Sequence, residues 1–490
     1  MNSSSRSPSE SISVDEAVAA ASRASRTLGR MLPEARAIIL ETVAGALDDH
    51  ADELIEIADE ETSLGETRLR GEVARTSGQL RLFASVLRDG AYLEAVIDHA
   101  DPTSAPPKPD LRRQLVPLGP VAAFTASNFP FAFSVLGGDT ASALAAGCPV
   151  VVKAHSGHLR LSRRTAQIAQ DALAATDAPE GTLTHVEGRE SGRQLVTEPA
   201  ITAVGFTGSL GGGRALFDLA VGRPDPIPFY GELSSLNPVV ISEGAARGRP
   251  EELAEGLAGS FTLGVGQFCT KPGVVFVPQE NDLISELETA VAATSPAPML
   301  MPRLLEAFAG GIDELTGTPG VHVAIPARPD APEGCASAQV YVTTTATVID
   351  HPEATLDEQF GPAVLLVRYS SQEELQAALD VLPGSLTAAI HADAAEFDGL
   401  ASVIERLQDL SGRLIFDGWP TGVAVNWAMQ HGGPWPSTTS SLHTSVGATA
   451  IRRFLRPISF QNAAQELLPP ALRDDNPLAI PRRIDGALTL

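Results

Sequence analysis

Cysteine is scarce: Cys148, Cys269 and Cys335 are the only three in 490 residues. Their odd number and wide spacing make neither a disulfide framework nor a zinc pattern, and they fit a reducing compartment. Long apolar runs are also missing. No stretch approaches the roughly 18–20 residues of a membrane helix, and Met1-Asn2-Ser3-Ser4-Ser5-Arg6-Ser7-Pro8 holds no apolar segment of a secretory signal. Positive charge is in short supply as well. The 35 Lys and Arg face 60 Asp and Glu, a net charge of −25, which argues against nucleic acid and anionic membrane as partners. The expected location is the cytoplasm, and any anionic ligand needs a local cationic pocket. What remains is 43% apolar and 19% charged, the composition of a folded globular chain long enough for two or three domains.

Residues 1–12 read as a Ser-rich disordered leader. From 14 to about 88 the pattern is helical, with breaks at Leu32-Pro33 and Ser63-Leu64-Gly65; Pro33 stands where a second helix would begin and its missing N–H costs nothing. Residues 101–110 hold four prolines and read as an extended connector. Strands then alternate with helices. Strands are expected at 116–124, 149–153, 182–186, 201–206 and 228–233, with a small-residue helix at 137–146 and a second helix carrying Leu161, Thr165, Ile168 and Ala172. Several of these strands are continuous apolar runs, which implies a parallel sheet covered on both faces. A second such run follows, with strands at 238–241, 273–277, 363–367, 386–390 and 413–416 and helices at 372–381 and 394–410. Segments 111–115 and 457–461 are candidates for an arm that pairs with another subunit. The expected fold is α/β, with two doubly wound parallel-sheet domains and a small oligomerisation arm. The boundaries read as a nucleotide-binding domain at 13–232, a second domain at 233–430 and a C-terminal segment at 431–490.

The chemistry centres on Gly266-Gln267-Phe268-Cys269-Thr270-Lys271-Pro272-Gly273. A structural cysteine usually lies in an apolar run, whereas Cys269 has polar neighbours and Lys271, a cation of the kind that favours a thiolate. Glu232 ends a predicted strand 37 residues earlier. A carboxyl there suits a general base whose pKa burial raises, or else a structural glutamate. Asn128, in a Ser-Asn-Phe-Pro turn, offers an amide for an oxyanion, or is a plain turn residue. Gly208, Ser209 and Gly213 follow a strand and open a helix, an arrangement that brings backbone to a pyrophosphate; their spacing is not the standard fingerprint, and a glycine-rich turn reads equally well. Lys153 ends a strand where open α/β sheets meet ligands. No acid follows it to bind the two ribose hydroxyls of NAD; Ser156 would instead tolerate a 2′-phosphate, with Arg189 as a second phosphate partner or a surface arginine. His155 reads as a structural or surface imidazole. Glu358 suits ribose hydroxyls and Phe360 the side of a nicotinamide, or both belong to an ordinary loop entering a strand.

Asn128-Phe129-Pro130, Lys153, Phe206-Thr207-Gly208-Ser209, Glu232-Leu233, Gly266-Gln267-Phe268-Cys269, Glu358-Gln359-Phe360-Gly361-Pro362 and Asn426 together resemble the aldehyde dehydrogenase superfamily in order and approximate spacing, from about residue 14 to 462. The resemblance implies that Cys269 attacks the aldehyde while Asn128 and the Cys269 backbone N–H hold the oxyanion. Glu232 would activate the water that hydrolyses the thioester. It also places Lys153 at the adenosine ribose, Glu358 at the nicotinamide ribose, and Gly208 and Ser209 at the pyrophosphate. Ser127-Asn128-Phe129-Pro130, Val152-Lys153-Ala154-His155 and His431-Gly432-Gly433-Pro434-Trp435-Pro436 are most similar to the α-ketoglutarate semialdehyde (2,5-dioxopentanoate) dehydrogenases and related NADP-preferring bacterial enzymes. NADP is therefore the expected cofactor, with NAD as the alternative, no metal, an aldehyde substrate, and a homodimer or homotetramer. A broad aliphatic aldehyde dehydrogenase and a catalytically silent dehydrogenase-fold protein are the other readings. Two departures stand out: the usual Glu-Leu-Gly-Gly is Glu232-Leu233-Ser234-Ser235, and Ser127 replaces the Trp before Asn-Phe-Pro.

Overall fold

The computed structural model describes residues 12–489; the expected leader lies outside them, apart from Ile12. Four helices open the chain: Val14–Arg30, Pro33–Asp49, Ala51–Thr62 and Glu66–Asp89. Ser13 and Glu16 form a reciprocal capping box on the first, and Pro33 takes the first helical turn of the second. Among the described residues no helix is long and apolar enough to cross a membrane.

The first sheet has five parallel strands. Across it lie Leu183–Val186, Val150–Lys153, Val121–Phe124, Ala203–Thr207 and Phe229–Glu232. In chain order this is 3-2-1-4-5, so the winding reverses between Val121–Phe124 and Ala203–Thr207. Sheets of this kind take ligands at the carboxyl ends beside such a reversal. Alternate side chains serve opposite faces: Val121, Ala123, Val150 and Val152 join the core under the N-terminal helices, whereas Ala122, Phe124, Val151 and Val204 pack on the other side. The apolar runs follow from this two-sided burial.

A seven-stranded sheet follows, ordered His322–Ile325, Gln339–Thr344, Ala363–Tyr369, Val274–Pro278, Val239–Ile241, Ser385–His391 and Ser411–Phe416. Only His322–Ile325 is antiparallel to its neighbour. Here too alternate residues divide between two cores, with Val240, Phe276, Leu365 and Ile390 on one face and Val239, Val275, Leu366 and Ala389 on the other.

Two expected elements divide in the structure. The expected strand at 116–124 is two strands, Leu111–Pro117 and Val121–Phe124, in different sheets. Gly119, at φ +133°, turns the chain between them, and Pro120 follows. The expected helix at 394–410 is a single turn, Ala394–Glu396, followed by the helix Ala401–Leu410. Asp393 and Glu396 close that turn upon itself. The arm is a third sheet, ordered Leu455–Gln461, Leu111–Pro117, Val96–Asp98, Arg482–Ile484 and Ala487–Thr489. Its first two strands are antiparallel partners over their whole length.

Candidate active site

Both sheets contribute to one site. Beyond Phe124 the chain runs through Thr125-Ala126-Ser127 into Asn128, which is buried and donates its side-chain amide to the Gln267 carbonyl at 2.9 Å. Glu232 closes the last strand of the first sheet and is 3% exposed. Cys269 arrives from the second half, just before Val274–Pro278. The approach to it is forced: Val265 sits at φ +58° and Gly266 at φ +67°. A left-handed β-branched residue costs about 1–3 kcal/mol and persists only where its surroundings impose it. At Gly266 the cause is visible, since a Cβ would meet the Gly361 backbone at 2.2 Å. The segment is also tied from below, with Asn237 donating to the carbonyls of Cys269 and Lys271 at 2.8 and 2.9 Å.

At the centre, Cys269 Sγ lies 3.6 Å from His431 Nε2, and that nitrogen lies 3.0 Å from Glu232 Oε1. The thiol, an imidazole nitrogen and a carboxylate oxygen all fall within 4.8 Å of one another. Ser445 donates its hydroxyl to the second Glu232 oxygen at 2.7 Å. His431 is almost fully buried, and its Nδ1 has no hydrogen-bond partner among the described residues.

The electrostatics correct two expectations. Burial does push the Glu232 carboxyl upward, but the charge and hydrogen bond of His431, with Ser445 and the thiol, outweigh it and hold the group below the ordinary range. Cys269 goes the other way: burial first, then the Glu232 charge and hydrogen bond and the Glu358 charge, push its thiol well up. Lys271 is not its activator. The Lys271 side chain turns away and is buried, donating to the Ala363 carbonyl at 2.9 Å, and burial brings its ammonium down to about 8 against the pull of Glu358. Both changes act against a free thiolate at Cys269, and the carboxylate and imidazole in contact with the thiol are groups of the kind that can take its proton.

The residues expected to hold a cofactor are spread over several elements: Lys153, Ser156, Arg189, Gly208 and Ser209 lie at or just beyond strands of the first sheet, Gly213 in the helix that follows, and Glu358 and Phe360 in a separate loop. Lys153 closes its strand half-buried, with no hydrogen-bond or ion-pair partner for its ammonium among the described residues, and burial lowers its pKa. Ser156 and Arg189 are both exposed, and the helix Arg189–Thr197 packs Gly192 against the Lys153 stem. His155 accepts from the Gly157 N–H at 3.1 Å and faces the Arg303 guanidinium at 3.2 Å. Burial first, then His158 and Arg303, bring it down to about 3, so it is a neutral imidazole. Gly208 and Ser209 are exposed at the end of Ala203–Thr207, and Ser209 caps the next helix by accepting from the Gly212 N–H at 3.3 Å. Gly213 is buried, and a Cβ there would meet Leu233 at 2.1 Å. Glu358 and Phe360 are half-buried in the loop over the cysteine segment. Burial brings the Glu358 carboxyl up to about 7 against hydrogen bonds from Ser234 and Ser235 and the charge of Lys271.

The aldehyde dehydrogenase family model matches residues 6–433. The chain belongs to the aldehyde dehydrogenase family. It is an aldehyde-oxidising oxidoreductase of a family that uses NAD(P). It is 47% identical over 460 residues to alpha-ketoglutaric semialdehyde dehydrogenase 2 of Azospirillum brasilense, covering 92% of this chain and 87% of that one. It is 42% identical over 482 residues to alpha-ketoglutaric semialdehyde dehydrogenase of Acinetobacter baylyi, covering 97% and 91%. Among solved structures, 1-pyrroline-5-carboxylate dehydrogenase from Thermus with bound NAD superposes with a TM-score of 0.76 at 20% identity, covering 91% of this chain and 85% of that one. Bradyrhizobium japonicum proline utilization A matches with a TM-score of 0.77 at 24% identity, covering 93% of this chain but 46% of that one, so the chain spans less than half its length.

Against the family pattern, the two serines after Glu232-Leu233 have definite partners. Ser234 hydrogen-bonds to Glu358. Ser235 accepts from the Leu386 N–H at 2.8 Å and donates to Asn237 at 2.7 Å. Their hydroxyls tie the segment after Glu232 to the Glu358 loop and to the strand Ser385–His391 of the second sheet. His431 and Ser445 are the site residues that sequence reasoning missed. His431 was noticed only within a Gly-Gly-Pro-Trp-Pro motif, and Ser445 had no signal.

Proposed function

We propose that the enzyme oxidises 2,5-dioxopentanoate to 2-oxoglutarate, preferring NADP, through a thioester on Cys269 that Glu232-activated water hydrolyses. The observation that carries the chemistry is the cluster of Cys269 Sγ, His431 Nε2 and Glu232 Oε1. The substrate reading draws on the 47% and 42% identity to alpha-ketoglutaric semialdehyde dehydrogenases.

In this account the Sγ–H proton passes to Glu232 as sulfur attacks the aldehyde carbon. Asn128 keeps one amide N–H for the Gln267 carbonyl and turns the other, with the Cys269 backbone N–H, toward the developing oxyanion. When bound, the nicotinamide cofactor supplies the oxidant. Its fit rests on the unpartnered Lys153 ammonium and exposed Ser156 and Arg189 for a 2′-phosphate, and on Glu358 for the ribose. Glu232 must then be ionised again to take a proton from water. His431 is the adjacent proton carrier and holds the carboxylate in its anionic form. An assembly of two or four subunits is proposed through the exposed outer strand of the arm, Leu455–Gln461.

A broad aliphatic specificity is the second reading, favoured by the aromatic collar of Phe129, Phe133 and Phe268, whose rings lie 5.4 and 5.0 Å from Phe129. Initial rates on 2,5-dioxopentanoate and hexanal, each with NADP⁺ and NAD⁺, separate the two. A clear preference for the dioxo acid with NADP⁺ is expected; equal rates, or a preference for hexanal, would make the enzyme a general aldehyde oxidant.

A further inference from the structure

The site is hostile to an anion, with Glu232 and Glu358 both beside the thiol in a chain of net charge −25. An acidic substrate needs cations around it that are not already neutralised. Three guanidinium groups stand near this end of the site. Arg68 is committed: it pairs with Glu72 at 3.2 Å, donates to the Asn128 carbonyl, and lies 4.8 Å over the Phe268 ring.

The other two are not. Arg75 lies two helical turns further along Glu66–Asp89. Its guanidinium sits 5.4 Å over the Phe133 ring and 5.9 Å over Phe129, and Phe133 in turn lies 6.4 Å from the His431 imidazole. It has no hydrogen bond or ion pair among the described residues, and its Nε is buried. Arg413 comes from the other half of the chain, on the outer strand Ser411–Phe416. One of its terminal nitrogens donates to the Gly422 carbonyl at 3.0 Å, while Nε and the other terminal nitrogen are buried without hydrogen-bond partners among the described residues. The neighbouring Gly412 is pressed so closely on Gly432 that a Cβ would meet its carbonyl oxygen at 2.0 Å, which sets Arg413 beside the His431 loop. Arg75 also stands within reach of the Glu72 and Glu232 charges.

Buried guanidinium nitrogens without acceptors are uncommon and costly, because desolvation is not repaid. Arg36, Arg368 and Arg482 each leave their Nε in the same condition, but Arg75 and Arg413 differ in standing by the rings and loop around His431, one from the helix Glu66–Asp89 and one from the strand Ser411–Phe416. The guanidinium fork matches a carboxylate, donating to it through paired N–H groups. Cofactor phosphate is a poor candidate, since its expected grips, Lys153 and Arg189, lie at the carboxyl ends of the first sheet. We propose that Arg75 and Arg413 bind the carboxylate at the far end of a short oxo-acid aldehyde, with its oxidisable end at Cys269. This deepens the substrate reading above and rests on it. The Phe129 and Phe133 rings beneath Arg75 would flank the methylene carbons between.

The test compares Arg75→Gln, Arg413→Gln and the corresponding Lys variants with the unmodified enzyme. The expected result is a fall of about 10- to 100-fold in the ratio of kcat/KM for 2,5-dioxopentanoate to that for hexanal, mainly through KM for the acid, with partial recovery in the Lys variants. Glutarate, an unreactive dicarboxylate, should compete with hexanal in the unmodified enzyme and lose that competition in the Gln variants. Equal losses on both substrates would reduce the arginines to packing residues, and an unchanged ratio would remove them from specificity; either overturns the proposal. If the unmodified enzyme does not prefer the dioxo acid, the substrate reading fails. The glutarate result then decides the arginine site by itself: competition abolished by Arg75→Gln and Arg413→Gln supports it, and no competition rejects it.

Discussion

Replacing His431 by Phe keeps a ring in the buried slot and removes the hydrogen bond to Glu232 Oε1. In the thioester, where Cys269 has no proton to donate, Ser445, at 2.7 Å, is then the remaining donor among the described residues to a carboxylate that is 3% exposed. A hydrogen bond to a charged group contributes about 1.5–3 kcal/mol, and each 1.36 kcal/mol is tenfold in rate. Thioester hydrolysis at pH 7 should slow by about 10- to 150-fold. The direction with pH follows from the balance at Glu232. With the imidazole present, its charge and hydrogen bond hold the carboxyl below its ordinary value; without them burial dominates and the carboxyl moves up. A base works only above its own pKa, so the acid limb of kcat should move to higher pH, and raising the pH should recover part of the loss. Stopped-flow cofactor reduction, followed by kcat measured across pH 5.5–9, reads both effects, and a thermal melt checks that the variant folds. An acid limb that stays in place with unchanged kcat would refute the coupling. Loss of the first-turnover burst alone would assign His431 to the attack by sulfur rather than to hydrolysis.

Other outcomes follow from the same geometry. Cys269→Ala should abolish oxidation while cofactor still quenches tryptophan fluorescence; residual turnover would place the nucleophile elsewhere. Lys153→Ala should raise KM for NADP⁺ far more than for NAD⁺, because its unpartnered ammonium is the expected phosphate grip; equal losses would deny that role. Arg453 pairs with Asp139 at 2.6 Å and is almost fully buried, joining the C-terminal segment to the helix Gly138–Ala146. Breaking it with Arg453→Met leaves a carboxylate poorly compensated and should cost about 3–5 kcal/mol, read in denaturant titration; a loss under 1 kcal/mol would show the pair is solvated.

The sheets were legible because burial on both faces leaves apolar runs such as Val150-Val151-Val152 and Val274-Val275-Phe276-Val277 in the sequence. The joint at Leu118-Gly119-Pro120 was harder. Apolar residues continue through it, and only a left-handed glycine separates the arm strand from the sheet strand. Strands at the rim left less trace: His322–Ile325 is half-exposed or exposed throughout, and Arg482–Ile484 and Ala487–Thr489 carry charged or exposed positions.

At the site, Cys269, Glu232 and Asn128 were legible by their place at strand ends and in a polar, glycine-flanked segment. Their environment was not. Lys271 stands two residues from the thiol in sequence yet points to the Ala363 carbonyl. The imidazole that does face the thiol is 162 residues away, in a loop without periodicity. Neither direction nor long-range proximity leaves a local pattern. For the same reason the carboxyl of Glu232 was expected to titrate high: burial was foreseeable, but the partners that outweigh it were not.

The most direct measurement is the intact mass of Glu232→Gln after mixing with 2,5-dioxopentanoate and NADP⁺. With Glu232 gone, His431 Nε2, 3.6 Å from the thiol, is left to take its proton. The account therefore predicts one equivalent of reduced cofactor, formed more slowly, and an enzyme heavier by one acyl group, mapped by peptide digestion to Cys269 and released by hydroxylamine. A variant that turns over at the normal rate with no adduct would contradict it, and the base that hydrolyses the thioester would have to be sought elsewhere.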